Sequence, residues 1–260
     1  MGQHLRSQET VDSALYLSDI GLIDADNALI HGVAVKTIRR WRREYQRKGR
    51  PRGQAHTSAP CPRCAHGTLD EGAYAHLLGW YLGDGHISAG RRGVFALHIF
   101  NDRRYTVLNT EVADAMRAVK PGGRPHTRVI PGALITTMSW KHWVCLFPQH
   151  GPGRKHERAI VLADWQRDIV ERHPGRFARG LFHSDGCRVT NWTLRPVAGR
   201  PKRYEYARYF FSNESTDIIG LCTWALDLLD IAWRMSKPNC VSVARREAVA
   251  RLDVHVGPKS

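Results

Sequence analysis

The first regular pattern of apolar positions is helical. Asp24–His31 predicts a short helix and Gly32, Val33 and Ala34 a turn. A second helix from Val35 to about Lys48 follows, where Ile38, Trp41 and Tyr45 recur at three and four to give one apolar face. Before it, residues 1–19 are polar and turn weakly helical only from about Thr10. From Gly49 to Pro60 the chain is Arg, Pro, Gly, Ser and Thr, a linker composition. Period-two and period-3.6 segments then alternate. An apolar turn and a half ends at Asp84-Gly85, and strands follow at His86–Ser88 and Val94–Phe100. A helix is predicted over Tyr105–Val119, strands over Arg128–Ile130 and Leu134–Trp140, and a short helix near Trp140–Phe147. The order then repeats. A helix ends at Asp185-Gly186, strands cover Cys187–Leu194 and Tyr204–Phe211, Asp217–Leu229 is helical, and Ala232–Met235 with Val241–Ala244 forms a hairpin. The fold class is therefore α+β, a duplicated αββαββα core behind a small helical domain. The boundaries are 1–49 for the helical domain, 50–71 for the linker, and 72–173 and 174–260 for the repeats.

Both halves open on the same kind of stretch, Leu77-Leu78-Gly79-Trp80-Tyr81-Leu82-Gly83-Asp84-Gly85 and Ala178-Arg179-Gly180-Leu181-Phe182-His183-Ser184-Asp185-Gly186. A spacing of four puts Gly79 and Gly83, and likewise Gly180 and Ser184, on one helical stripe. Without bulk there, two helices can meet backbone to backbone. The closing glycines suit left-handed caps that stop each helix after its Asp. Packed together, the copies bring Asp84 and Asp185 side by side at one end. Two carboxylates there repel each other and sit at the negative ends of helix dipoles, penalties that a hard divalent cation relieves. Phosphate oxygens are the natural substrate ligands of such a centre.

These stretches resemble the LAGLIDADG (dodecapeptide) motif of homing endonucleases in the form where one chain carries two copies. The likeness rests on Gly79, Gly83, Asp84 and Gly85, and on Gly180, Leu181, Asp185 and Gly186. At the sixth position, usually an acid, stand Leu82 and His183. The resemblance covers roughly Gly72 to the C-terminus. It implies a pseudo-two-fold core and Mg²⁺-dependent (or Mn²⁺-dependent) hydrolysis of both strands of DNA. Asp84 and Asp185 would hold the metal, with Gly83 and Ser184 among the metal-holding residues. Lys155 and Lys259 stand 71 and 74 residues past their Asp and close similar basic segments; they are the candidate catalytic cations, with Gln149 a candidate polar neighbour. Asn101 and Asn213 sit in a further echo, Phe100-Asn101-Asp102 against Ser212-Asn213-Glu214. Gly21 to Asp26 spells the motif's core more closely than either copy but lacks the closing glycine and a following strand, so it is set aside. His183 reads as a packed histidine.

Charge sharpens this picture. Lys and Arg total 39 against 24 Asp and Glu, a net +15, which points to a polyanion, and no apolar span long enough for a membrane is present. Lys36, Arg39, Arg40, Arg42, Arg43 and Arg47 crowd the second predicted helix. It resembles the recognition helix of a helix-turn-helix, with Lys36, Thr37, Arg40 and Arg43 toward double-stranded DNA. On the sheets the candidate contacts are Arg91, Arg92, His98, Arg128 and Lys141 in the first half. In the second they are Arg188, Asn191, Arg195, Arg200, Lys202, Arg203 and Arg208. Tyr209 and Phe211 read as core.

Six cysteines and no leader segment predict reduced thiols in a cytoplasmic, nucleoid-associated monomer. Cys61-Pro62-Arg63-Cys64 has zinc-knuckle spacing but is half a site; His56 or His66 could complete a structural zinc, and metal-free thiols are the weightier reading. Three rivals to a mobile-element endonuclease share its core: a non-cutting transcriptional regulator, an RNA-splicing maturase and an intact intein. Retention of both Asp and both Lys speaks against the first and the helix-turn-helix against the second. The Pro-Lys-Ser end speaks against the third.

Overall fold

Ser7 accepts from the backbone N–H of Thr10 and starts α1 (Gln8–Asp19) two residues earlier than its polar sequence suggests. The computed structural model describes residues 6–48, 60–197, 200–257 and 259. The chain forms two units, residues 1–58 and 59–260. The linker reading, up to residue 59, lies outside the described residues, as does His56.

In the first unit α1 packs with α2 (Asp24–Ile30) and α3 (Val35–Lys48) around Val11, Ala14, Leu15, Ala28, Ile38 and Trp41. Buried Asn27 ties α2 to α1, its amide donating to the Ala14 carbonyl at 2.8 Å and to Ser18 Oγ at 2.9 Å. Gly32 turns the chain at φ 58°, where a side chain would be strained. One expectation fails: Tyr45 is exposed, because α3 outruns a core whose last member is Trp41. Gly21 to Ile23 is a turn, with φ 91° at Gly21, and Asp24 to Asp26 form the first turn of the short helix α2.

The second unit is built twice over. Its first half runs α4 (Glu71–Leu82), β1 (Gly85–Ala89), β2 (Phe95–Asp102), α5 (Thr106–Val119), β3 (His126–Ile130), β4 (Ala133–Trp140) and α6 (Trp143–Leu146). After α7 (Asp164–Arg172), the second half runs α8 (Pro174–Asp185), β5 (Gly186–Val197), β6 (Arg200–Ser212), α9 (Thr216–Leu228), β7 (Arg234–Lys237), β8 (Cys240–Val243) and α10 (Arg246–Val256). The sheets have the same antiparallel order, β1-β2-β4-β3 and β5-β6-β8-β7. Neither α7 nor the full length of α10 is legible in the chain's apolar period.

α4 has no polar face. Every residue from Tyr74 to Leu82 is buried, so the helix must lie in the middle of the unit with apolar partners on all sides. α8 packs along it through the small-residue stripe: a Cβ on Gly79 would lie 2.4 Å from the Phe177 carbonyl oxygen, and one on Gly83 would lie 2.0 Å from Ser184 Oγ. The glycines after the acids act otherwise than expected. Gly85 and Gly186 are not left-handed caps; they open β1 and β5, and Gly186 has φ −100°. Their missing side chains matter because the strands leave so close to the helices, where a Cβ would stand 2.3 Å from Tyr81 Cα and 2.6 Å from the Phe182 carbonyl oxygen. α4 ends at Leu82, ahead of its acid, while α8 includes Asp185.

The two sheets differ in reach. β5 and β6 pair from Gly186↔Phe211 out to Val197↔Arg200, but β8 joins β6 only over Tyr209 to Ser212. Beyond Arg208 the hairpin continues as a two-stranded ribbon.

Candidate active site

Where α4 and α8 end, the chain brings the two acids and the two lysines into one notch. Lys155, in a 3-10 turn at Lys155–Glu157, donates from Nζ to the carbonyls of Gly83 at 2.5 Å, Gly85 at 3.0 Å and Tyr81 at 2.6 Å. Lys259 donates to the carbonyls of Ser184 at 3.4 Å and Gly186 at 3.1 Å. Each ammonium thus grips the peptide carbonyls on either side of one Asp, in matching positions of the two repeats. An open cavity of about 400 Å³, lined by Gly83, Lys155, Asp185 and Asn213 among others, leads into the notch.

Burial sets the protonation of these groups. Asp84 is pushed up to about 6 by burial and then by the charge of Asp185, with Lys155 and Lys259 opposing. Asp185 is raised by burial, while a hydrogen bond from Asn213 and the two lysines hold it back. Burial pulls Lys155 down to about 8 against the attraction of both acids, and it lowers Lys259 as well.

In the sequence Asn213 shows only as an echo of Asn101, with nothing local to mark its place at the site. Its Nδ2 donates to Asp185 Oδ2 at 2.6 Å. Its counterpart Asn101 is also buried, but its amide nitrogen has no partner among the described residues. The pseudo-two-fold therefore breaks at this pair, one acid being held and the other not. Gln149 is not at the notch: it is buried against Gln166, with Nε2 to Oε1 at 2.5 Å, in a network with Tyr74. That expectation is corrected, since the Gln149 amide is used in holding the loop carbonyl of Val161 at 2.8 Å. His183 is buried against Trp80, as expected, and neither ring nitrogen has a partner among the described residues.

The donor set fits a hard cation. Two carboxylates and the carbonyl oxygens of Gly83 and Ser184 are all oxygen ligands, two of them now gripping ammonium groups, so the notch is already built to hold positive charge. The set has no sulfur or imidazole to favour a softer metal.

The candidate nucleic-acid contacts divide into free and engaged. Lys36, Arg40 and Arg43 are exposed and Thr37 is half-buried, whereas Arg39 and Arg42 are paired with Asp24 at 3.0 Å each. Arg91, Arg92, Arg128 and Lys141 are exposed. His98 is not free: Ser88 Oγ lies 2.8 Å from its Nε2 and Thr137 Oγ1 2.9 Å from its Nδ1. Two more are corrected. Arg188 forms a bidentate pair with Asp253 at 2.8 and 3.0 Å. Arg208 is buried, donates to Ser242 Oγ at 2.7 Å and lies over Phe210. Arg188, on β5, sits opposite Tyr209, and Arg208 directly borders the stretch of β6 that β8 joins, so neighbouring elements satisfy them. Arg195, Arg200, Lys202 and Arg203 lie on the ribbon and are exposed. Arg203 stacks over Trp192 and pairs with Glu205 at 2.7 Å. Asn191 is half-buried and donates to Tyr206 Oη at 3.2 Å. Tyr209 and Phe211 are core.

Among the described residues no helix is long and apolar enough to cross a membrane. No protein-family model matches the chain, and no curated protein does. Similar solved structures include I-DmoI in complex with DNA and Mn, 12% identical with a TM-score of 0.46 over 72% of this chain and 98% of that one. Also similar is the LAGLIDADG meganuclease I-AabMI bound to uncleaved DNA, 9% identical with a TM-score of 0.44 over 70% and 83%. A third is the homing endonuclease I-WcaI bound to its DNA recognition sequence, 12% identical with a TM-score of 0.45 over 74% and 83%.

Proposed function

We propose that this chain is a site-specific double-strand DNA endonuclease of the LAGLIDADG homing type, acting as a monomer with two internal repeats. The observation that carries the reading is the notch: two half-buried acids, each framed by a lysine bonded to the carbonyls on both its flanks. Asp84 and Asp185, with the carbonyls of Gly83 and Ser184, would hold Mg²⁺ or Mn²⁺, whose bound charge stabilises phosphate oxygens and lowers the pKa of a coordinated water. The residues' own parts follow from their geometry. Asn213 keeps Asp185 in one orientation, so its free oxygen stays available to the notch. Lys155 and Lys259 place fixed positive charge where the phosphate's negative charge grows during in-line attack, and burial strengthens that interaction.

Recognition rests on the ribbon and on the first unit. Arg195 and Lys202 face each other directly across β5 and β6, like charges that repel unless a polyanion lies against them. A two-stranded ribbon fits the major groove, with Asn191, Arg195, Arg200, Lys202 and Arg203 along it. Lys36, Thr37, Arg40 and Arg43 would enter a major groove from α3, and Arg128 and Lys141 would meet backbone phosphate.

Incubation with supercoiled plasmid libraries and Mg²⁺ tests the reading. EDTA-sensitive linearisation is expected, and Asp84→Asn and Asp185→Asn should each keep duplex binding while losing double-strand cleavage. Binding without any cutting by the wild type would assign the non-cutting regulator instead. Preference for structured intron RNA would assign the maturase.

A further inference from the structure

Away from the acid notch, four side chains from two distant stretches converge. Cys61, Cys64, His142 and Cys145 each offer a ligand atom, and the four atoms lie within 4.8 Å of one another. His142 Nδ1 is 3.2 Å from Cys64 Sγ and 3.7 Å from Cys145 Sγ. Around a tetrahedral zinc, with bonds of about 2.3 Å to sulfur and about 2.0 Å to nitrogen, such ligand atoms stand roughly 3.5–3.8 Å apart. The described cysteines form no disulfide that would otherwise account for the convergence.

Each half of the cluster is shaped by its own backbone. The backbone N–H groups of Ala65 and Gly67 both donate to the Cys61 carbonyl, at 3.0 and 3.1 Å, closing the Cys61-x-x-Cys64 turn. A Cβ on Gly67 would fall 1.9 Å from the Pro60 carbonyl oxygen, so only glycine lets the chain fold back so tightly. On the other side, the N–H groups of Cys145 and Leu146 donate to the His142 carbonyl at 3.0 and 3.3 Å. This single helical turn points His142 and Cys145 the same way while Trp143 and Leu146 anchor it in the core. His66, an expected candidate ligand, turns through φ 50° and is not a member of the cluster.

We propose that Cys61, Cys64, His142 and Cys145 bind one structural zinc ion. Four protein ligands leave no open position for substrate, and three thiolates select a softer metal than the oxygen-lined acid notch does. Binding releases the thiol protons to solvent, so the clamp tightens as pH rises. Its place in the fold gives its role: it staples the chain leading into α4 to the segment between β4 and α6. It thereby closes a loop of 78 residues between Cys64 and His142. The second repeat carries no such cluster among the described residues, so the clamp belongs to the half into which the N-terminal unit's linker runs.

The full chain, produced in zinc-supplied medium and dialysed against Mg²⁺, should hold one zinc per molecule by elemental analysis. Cys64→Ser and Cys145→Ser should each lose that zinc and melt at lower temperature, while Cys187→Ser and Asp84→Asn keep it. Because a clamp variant can simply misfold, the wild type provides a second measurement. After zinc is exchanged for Co²⁺ it should show the intense thiolate charge-transfer and tetrahedral ligand-field bands. A zinc-free wild type, zinc retained in both serine variants, or an octahedral cobalt spectrum would each overturn the proposal. Loss of cleavage in Asp84→Asn with zinc unchanged keeps this test separate from that of the endonuclease.

Discussion

Gly79 and Gly180 lie so close that a Cβ built on either would stand 2.9 Å from the other's Cα. The contacts beyond are tighter still, 2.2 Å from a Gly180 Cβ to the His76 carbonyl oxygen. Backbone cannot yield as a flexible side chain can, so either Gly→Ala change must push α4 and α8 apart. Gly220, inside α9, has nothing within 4 Å of its Cβ position among the described residues. Gly79→Ala is therefore expected to lower stability by about 3 kcal/mol, and Gly220→Ala to raise it by up to ~1 kcal/mol. Thermal melts of the two variants check the pair. Equal melting would mean that the helices are not in contact here.

The acid notch should cost the fold stability at neutral pH. Asp84 titrates near 6 in the folded chain, above its ordinary 3.8. A folded-state pKa that is raised means the folded chain binds the proton more tightly. Stability from this group is then fully present below pH 4 and is lost as pH rises through about 6. Asp84→Asn removes that loss, an effect of at most about 3 kcal/mol. In chelator, the variant is expected to melt higher than the wild type at pH 7 and to match it near pH 4. Adding Mg²⁺ or Mn²⁺ should raise only the wild type's melting temperature. A variant that melts lower at pH 7 would show that Asp84 stabilises the fold unaided.

Lys155 bears on the acids' titration as well as on phosphate. Its charge holds Asp84 below where burial alone would put it. Lys155→Met should thus raise the pH at which cleavage switches on, besides lowering kcat by roughly 10²–10³-fold. A pH–rate profile separates the two effects. A loss of rate with an unmoved profile would mean that Lys155 acts on substrate alone.

How much of this was legible depends on whether a feature is local. The glycine stripe, the acids and the succession of helices and strands in both repeats follow from short-range pattern, because periodicity and small residues are properties of consecutive positions. The functions of Gly85 and Gly186 were misread because a glycine required by a close approach looks the same as one required by a left-handed turn. Arg188 and Arg208 read as free cations since Asp253 and Ser242, which satisfy them, lie far along the chain. Cys64 and Cys145 are separated by 81 residues, and nothing in the knuckle itself names His142 as its partner. Asn213 was within reach: its echo of Asn101 marked a repeated position, and only the hydrogen bond to Asp185 gave it a role.

The ribbon yields the sharpest contrast between binding and folding. Lys202 is exposed beyond the point where β8 leaves β6, opposite Arg195, and its ammonium lies over Tyr204 without an acid partner among the described residues. Arg208, only six residues on, is buried and bonded to Ser242. Lys202→Ala should weaken duplex binding about equally across sequences and reduce the slope of log affinity against log salt by about 1, leaving the melting temperature in place. Arg208→Ala should lower the melting temperature, because it leaves Ser242 buried beside the space the guanidinium filled, and should leave that salt slope unchanged. Titrations at several salt concentrations, run beside melts of both variants, decide the matter. If Lys202→Ala moves stability and not the slope, the ribbon belongs to the fold and not to the nucleic-acid surface.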